Sequence, residues 1–222
     1  MSVPVIGLIG FIGSGKDTVA SSLISGGAVR DSFASPLKDL VSSVFGWPRE
    51  LLEGDTVQSR DFRETPDMFW SRKLDIPHFT PRLALQLVGT DVMRDHFHTD
   101  IWLSSLEYRL RKIQKSSPNT VVISDARFRN ELSLIKQMGG CIIWVQRGEL
   151  PEWYDIAVKA NTGNVVAKKV METRYCDVHS SEWDWVGFDV DYIVQNNGTL
   201  EELYQQIDTI QSKITKPKLQ AI

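Results

Sequence analysis

Apolar and polar positions follow one another along the chain in two kinds of block. Five short apolar runs, Val3–Ile9, Val29–Phe33, Val121–Ser124, Cys141–Val145 and Tyr192–Val194, are separated by segments whose apolar residues recur at helical spacing. Those segments predict helices over Asp17–Ile24, Ser35–Phe45, Arg82–Asp91, Ile101–Gln114, Asn130–Met138 and Leu200–Ile214. Runs that are apolar throughout predict strands covered on both faces. The alternation therefore predicts an α/β fold: a five-stranded parallel sheet flanked by helices, with right-handed crossovers. In Asn197-Gly-Thr-Leu-Glu-Glu202, Thr199 and Glu202 are spaced to cap the last helix reciprocally. No internal repeat or low-complexity segment interrupts the pattern, and the tail Lys213–Ile222, with Pro217, is expected to fray.

Two stretches break the alternation. Gly46–Pro81 is charged and tryptophan-rich and carries Arg49, Arg60, Arg63, Arg72 and Lys73; Gly148–Gly187 is longer and polar. Unstructured loops of such length are uncommon in a compact domain unless they bind or cover something. They are expected to be two mobile flaps over one active site. The expected organisation is a single domain with its core at 1–45, 82–147 and 188–214, a substrate-binding flap at about 46–81 and a lid at about 148–187.

Composition narrows the partners. At 222 residues the chain is long enough for a full core, and a net charge of −3 argues against a general nucleic-acid or membrane binder. No apolar run reaches the roughly 18 residues of a membrane span, and the N-terminal run lacks the charged start of a signal peptide. Cys141 and Cys176 form neither a metal spacing nor a disulfide framework, which fits a reducing cytoplasm. Cys141, within an apolar run, reads as a small buried hydrophobe.

The chemistry begins at Gly10-Phe-Ile-Gly13-Ser14-Gly15-Lys16-Asp17-Thr18, directly after the first apolar run. Strand, glycine-rich loop and helix in that order make a phosphate-binding loop: backbone N–H groups and the helix N-terminus converge on polyphosphate oxygens, and the Lys16 ammonium reaches the outer phosphates. Gly13, Ser14, Gly15, Lys16, Asp17 and Thr18 are thus the predicted polyphosphate contacts. Asp17 stands where most such loops have a hydroxyl residue, and the hydroxyl comes one place later, at Thr18. Both are candidate Mg²⁺ ligands, Asp17 through water; its alternative role is to cap the helix.

Arg82 and Gln86 stand four apart in a helix opened by Thr80-Pro81, so they leave the same face. Arg grips phosphate bidentately and Gln both donates to and accepts from a base edge, and the pair resembles the Arg and Gln that adenylate-kinase-like enzymes set on the acceptor nucleotide; the alternative is a solvated surface. Gly89-Thr90 is expected to end that helix. Asp125 closes the third strand with Arg127 and Arg129 after it, on the side of an open α/β sheet where ligands sit. Asp125 can order a Mg²⁺ water, accept from substrate, or merely cap a helix, and Arg127 can bind a nucleotide oxygen. Arg129 and Glu131 are expected to pair with each other or with nothing. Lys38 and Arg63 have a solvated charge as their default. Trp102 can stack on a base but at helical spacing is more often core. In the expected lid, Arg147, Lys159, Lys168, Lys169, Arg174 and His179 are candidates for closing over ATP, His179 as a hydrogen-bonding residue.

Together these residues resemble the phage-type deoxynucleoside monophosphate kinases. The likeness runs through Gly10 to Thr18, Phe33-Ala-x-Pro-Leu-Lys38, Arg63-Glu64, Thr80-Pro-Arg82-x3-Gln86-x2-Gly89-Thr90, Ile101-Trp102, Asp125-x-Arg127 and Asn197-Gly-Thr-Leu-Glu-Glu-Leu203. The Lys-Asp-Thr variant is part of it. The resemblance implies a P-loop kinase fold with a substrate-binding region and a lid, and phosphorylation of deoxynucleoside monophosphates to diphosphates by ATP and Mg²⁺. It implies ATP phosphates on the loop from Gly13 to Thr18 and acceptor contacts at Lys38, Arg63, Arg82, Gly89, Thr90, Trp102 and Asp125, and places Asn196, Asn197 and Gly198 near adenine. It implies a viral gene acting in the cytoplasm of an infected bacterium. The expected partners are a deoxynucleoside monophosphate and ATP, with no nucleic acid or membrane and a monomer or homodimer in solution. Lys16, Arg82, Asp125 and Arg127 are the expected catalytic set. Two other readings stay open on the residues: a P-loop kinase for another small phosphorylated metabolite, of the dephospho-CoA or phosphomevalonate kind, and a non-catalytic nucleotide switch. The switch lacks support from an Asn-Lys-x-Asp sequence or an Asp-Glu pair after a strand.

Overall fold

The computed structural model describes residues 4–116 and 119–215. Val3 and the tail beyond 215, both included in the expectations above, lie outside the described residues. The chain divides into two compact units, Met1–Ser32 with Arg109–Ile222, and Phe33–Tyr108.

The first unit holds the sheet: β1 (Val5–Ile9), β2 (Val29–Asp31), β3 (Val121–Ile123), β4 (Cys141–Gln146) and β5 (Tyr192–Gln195). All pairings are parallel, in the order β2-β3-β1-β4-β5. The registers Gly7↔Ile123, Ile9↔Trp144 and Gln146↔Gln195 bring the carboxyl ends of β3, β1, β4 and β5 to one edge. Only the inner strands are covered on both faces; β2 and β5, at the sheet's edges, are largely exposed, contrary to the expectation for five buried strands. On one face, Ile6, Leu8, Val122, Ile143, Val145 and Val194 pack against α1 (Lys16–Ser25) and a C-terminal helix over Leu200–Thr215. On the other, Gly7 admits the helix Arg129–Gln137 so closely that a Cβ there would lie 2.8 Å from Ile135 Cδ1. Thr199 N–H donates to Glu202 Oε2 (2.8 Å) and Glu202 N–H to Thr199 Oγ1 (3.2 Å), the reciprocal cap read from the spacing.

The second unit opens with α2 (Ser35–Phe45) and a single 3-10 turn, Arg49–Leu52. Then come α3 (Val57–Glu64), α4 (Met68–Leu74) and α5 (Pro81–Gln86). The expected flap is therefore helical. It also shares a core with residues before and after it: Val41, Trp47, Leu52, Phe79, Ala84 and Leu85 bury together. Phe45 stacks on Trp47 at 4.6 Å, and Trp70 meets Phe45 edge-on at 5.0 Å. Asp67 ties this core to a helix start, accepting from Trp47 Nε1 and from the N–H groups of Phe69 and Trp70. Burial alone would raise its pKa, but those three donors hold it below the usual carboxylate range. The helix expected to stop at Gly89 instead continues as a wide π-helical stretch, Leu87–Phe97. There Trp102 Nε1, at the start of α6 (Ile101–Ser116), donates to Gly89 O (3.0 Å), a buried bond that takes up a carbonyl of the irregular turn.

The expected lid is helical too, in the first unit. After α7 (Arg129–Gln137) come α8 (Tyr154–Asn161), α9 (Val165–Thr173) and α10 (Ser180–Trp183), followed by α11 (Leu200–Thr215). Asn164 caps α9 by accepting from Ala167 N–H (2.9 Å), and Asn161 Nδ2 donates to the carbonyls of Trp183 and Val186, both at 2.8 Å. No helix of the described residues is long and apolar enough to cross a membrane. Cys141 is half-buried, and burial, with the Asp191 charge next, pushes its thiol up to about 12, whereas Cys176 is exposed. Iodoacetamide at pH 8 is thus expected to modify Cys176 alone in the native protein and both cysteines after denaturation; peptide mapping that found Cys141 alkylated as fast as Cys176 would contradict this.

Candidate active site

The first unit gathers the expected donor residues along the carboxyl edge of the sheet. Buried β1 delivers the chain to Gly10, which is held at φ 150°, and Gly15 closes the loop in a left-handed conformation, φ 96°, as the N-cap of α1. Lys16 Nζ donates to Gly10 O (2.6 Å) and Phe11 O (2.9 Å), which fixes the ammonium over the loop. Burial is the main influence lowering its pKa; the Arg127 guanidinium adds to it, and Glu182 and Asp17 act in the opposite direction. Ser14 Oγ is buried without a hydrogen-bond partner, while Ser14 O accepts from Asn196 Nδ2 (2.8 Å). The loop's outer wall is aromatic: Phe11 lies 4.8 Å from Trp185 and 5.5 Å from Trp153, ring centre to ring centre.

Around that loop the parallel register assembles the rest. Arg127 Nη1 donates to Glu182 Oε1 (2.6 Å), and both charges act on Lys16. Glu131, only 3% exposed, accepts from Arg127 N–H (2.8 Å) and Phe128 N–H (3.2 Å). This corrects the expected Arg129–Glu131 pairing. Arg129 instead turns to the segment after α10, its N–H donating to Asp184 Oδ2 (2.7 Å) and its guanidinium lying 5.3 Å over the Phe188 ring. Gly148 N–H donates to Asn197 Oδ1 (2.7 Å), joining the turn after Arg147 to the Asn197-Gly198 turn. Asp125 follows β3 at the same edge and is partly exposed. Asp17 does not cap α1, whose N-cap makes no side-chain bond; its carboxylate accepts from Arg30 Nη2 (3.3 Å), which also donates to Ser124 Oγ (3.0 Å). His179 accepts from Ser181 N–H (3.2 Å) at the start of α10, the hydrogen-bonding role expected of it.

The second unit carries the expected acceptor residues other than Asp125, which lies in the first. Thr80 caps α5 by accepting from Leu83 N–H (3.1 Å), with Pro81 in the first turn, as the sequence predicts. Arg82, Gln86 and Thr90 are all exposed, at four-residue steps. Arg82 pairs with Glu64, and Arg63 is close enough to be influenced by it: burial first, and then the Arg82 charge, lower the Arg63 pKa. Arg63 Nε is buried without a partner. Lys38, with its side chain 15% exposed, donates to Glu53 Oε2 (2.6 Å). Trp102 is buried, at 5% exposure, as its core alternative has it, and its indole N–H bonds the Gly89 carbonyl.

Sequence reasoning passed over Arg30, Glu53 and Glu182. Each is an ordinary charged residue with a partner at least 13 positions away, Arg30 with Asp17 and Ser124, Glu53 with Lys38 and Glu182 with Arg127, so spacing held no signal of those pairings.

The residues present suit a nucleotide polyphosphate and a hard cation. The loop holds a buried hydroxyl without a partner at Ser14 and an ammonium at its mouth. Oxygen donors at Asp17, Thr18 and Asp125 are the type Mg²⁺ takes, with phosphate oxygens and water completing its shell. Among the described residues, no group of three or more His, Cys, Asp or Glu forms a dedicated metal cage.

Comparison with known proteins places the chain among kinases. Residues 53–158 match the family model described as deoxynucleotide monophosphate kinase. The chain is 34% identical over 213 residues to a protein of Acanthamoeba polyphaga mimivirus named as a deoxynucleotide monophosphate kinase, covering 91% of this chain and 93% of that protein. It is 31% identical over 186 residues to the deoxynucleoside-5'-monophosphate kinase of Escherichia phage T5, covering 62% and 73%. Among solved structures it is similar to dephospho-CoA kinase from Campylobacter jejuni, at 12% identity and a TM-score of 0.45 over 96% of this chain and 98% of that one, too distant to bear on function. With a P-loop on a five-stranded parallel sheet and a relative matched along nearly its whole length, the chain belongs to the deoxynucleotide monophosphate kinase family.

Proposed function

We propose that the protein transfers the γ-phosphoryl group of ATP to a deoxynucleoside monophosphate, giving the deoxynucleoside diphosphate and ADP. The observation that supports this most is Lys16 fixed over a glycine-rich loop at the carboxyl edge of the sheet, by bonds to Gly10 O and Phe11 O, with the Arg127 charge near enough to act on it. An acceptor phosphate oxygen is already anionic near neutral pH, so no strong base is required. It forms a bond to the γ-phosphorus as the bond to the bridging oxygen breaks, and the electron pair leaves with ADP. Positioning and charge stabilisation carry such a reaction.

In this reading the loop N–H groups from Gly13 to Thr18 hold the donor phosphates. Lys16 and Arg127 face the charge that spreads over the transferred group. Arg147, Asn197 and Gly198 border the adenosine. Asp17, through water, and Thr18 would hold Mg²⁺, with Asp125 able to order one of its waters; the bound ion would neutralise charge on the phosphate oxygens. Lys38, Arg63 and Arg82 grip the acceptor phosphate, Gln86 and Thr90 meet its nucleoside, and Trp102 acts through Gly89. Residues 148–187 serve as the lid that excludes water. ATP and the monophosphate are its small-molecule partners, in a cytoplasm.

ADP release in the presence of ATP, Mg²⁺ and each deoxynucleoside or ribonucleoside monophosphate tests this. ADP is expected only with an acceptor, and Arg82→Ala is expected to raise the acceptor KM by about 10- to 100-fold, the worth of one charge-assisted hydrogen bond. Silence with every monophosphate would refute the reaction; an unchanged acceptor KM would return Arg82 to the surface.

A further inference from the structure

We propose that Glu53 is a positioning residue for the acceptor: its carboxylate and its backbone carbonyl set the cations of the second unit, and Gly54 beside it leaves room for one of them. This rests on the reading that Lys38 and Arg63 grip the acceptor phosphate. Glu53 belongs to neither predicted constellation, yet it touches cations from three separate elements. Lys38 of α2 donates to its Oε2 at 2.6 Å. Arg49 of the 3-10 turn pairs with its Oε1, while Arg49 Nε donates to Asp39 Oδ1 at 2.5 Å. Arg63 of α3 donates from Nη1 to its carbonyl oxygen at 3.4 Å.

The next residue makes the same point by sterics. Gly54 has φ 78°, and a Cβ there would lie 2.0 Å from Arg63 Nη1. The guanidinium thus lies directly on the Gly54 backbone, in space that only glycine leaves open. Lys38, Arg49, Arg63 and Arg82 are four cations of one unit, and two of them, Lys38 and Arg63, are substantially covered. Covered like charges repel and lose hydration, so an anion among them is needed to keep them in place. The Glu53 carboxyl itself responds: burial would raise its pKa, but the hydrogen bonds and charges of Lys38 and Arg49 hold it below the ordinary range.

A carboxylate among phosphate-binding cations has two opposed consequences. As a bystander it only repels the incoming phosphate, and its removal would tighten acceptor binding. As the residue that orients Lys38 and Arg63, its removal weakens acceptor binding even though the site gains positive charge. The two are separated by Glu53→Gln, which preserves shape and removes charge, with Glu53→Asp as the milder variant that keeps charge but shortens the reach.

The expected result is a rise of about tenfold in the acceptor KM for Glu53→Gln, the worth of a charge-assisted hydrogen bond, with the ATP KM within about twofold of wild type. Glu53→Asp is expected to fall between. A general structural defect would change both KM values or the fraction of active enzyme. Acceptor KM values that stay constant or fall in both variants would overturn the proposal. Arg63→Ala runs alongside. If it too leaves the acceptor KM unchanged, the acceptor site is misplaced and both readings fall; if it raises the KM while the Glu53 variants do not, only the role of Glu53 is lost.

Discussion

Replacing Lys16 by Ala is expected to reduce kcat for phosphoryl transfer by about 10² to 10³, the scale of losing a preorganised donor to a transition-state charge. The ammonium is held 2.6 Å from Gly10 O and 2.9 Å from Phe11 O, so its place over the loop is fixed before substrate arrives. Its burial makes the charge more effective, since a cation in a partly desolvated site is less screened. That same burial, with Arg127 nearby, lowers its pKa, and Glu182 opposes the shift. The far-ultraviolet circular dichroism of Lys16→Ala should match wild type, because the ammonium contacts the loop and not the core. A variant with the wild-type fold and a kcat within a few-fold of wild type would show that the loop binds nucleotide without Lys16 taking part in transfer.

Gly10→Ala should be the most destabilising change in the loop. The new Cβ would lie 2.3 Å from Val145 O, a backbone atom of a buried inner strand, and 2.7 Å from Ser14 Oγ, at a φ of 150° that side-chain-bearing residues rarely adopt. Backbone strain and overpacking together should cost roughly 2 to 6 kcal/mol. Against a typical total stability of about 5 to 15 kcal/mol, that is a large share. Gly13→Ala is the control: its φ of 77° is also left-handed, but the added Cβ meets nothing within 4 Å. Urea unfolding should show a clearly lower midpoint for Gly10→Ala than for Gly13→Ala, at an unchanged slope. Equal losses would mean that β4 moves aside more easily than a buried strand should.

The parts of the fold legible in sequence are those written locally. β1, the glycine loop and α1 are consecutive, so their order alone identified the phosphate site. The Thr199–Glu202 cap and the Thr80 cap are likewise fixed by a spacing of three residues. The stretch after Phe45 was unreadable for a physical reason. Its core is built from Phe45, Trp47, Trp70 and Phe79, scattered aromatics that meet in space without a helical period in sequence. Its helix α3, Val57–Glu64, has few apolar residues and is fixed instead by reciprocal hydrogen bonds between Thr56 and Ser59.

The candidate site divides in the same way. Lys16, Arg82 and Asp125 stand at element ends, where the motif or the strand–helix order marks them. The charge pairs among the residues around them are not local. Arg30 reaches Asp17 and Ser124, Glu182 reaches Arg127 across 55 residues, and Glu53 reaches back to Lys38. Charge pairs of this kind depend on which turns the fold brings together, and no periodicity encodes that. Trp102 shows the converse: a residue whose type suggested stacking is used to fix the carbonyl of Gly89 in a widened helix.

The most direct measurement follows the γ-phosphate itself. ATP labelled at that position is incubated with Mg²⁺ and an unlabelled deoxynucleoside monophosphate, and the products are separated. Label in the deoxynucleoside diphosphate, dependent on the acceptor and lost with Lys16→Ala, is the predicted result. Label appearing only as inorganic phosphate, at a rate indifferent to the acceptor, would contradict it.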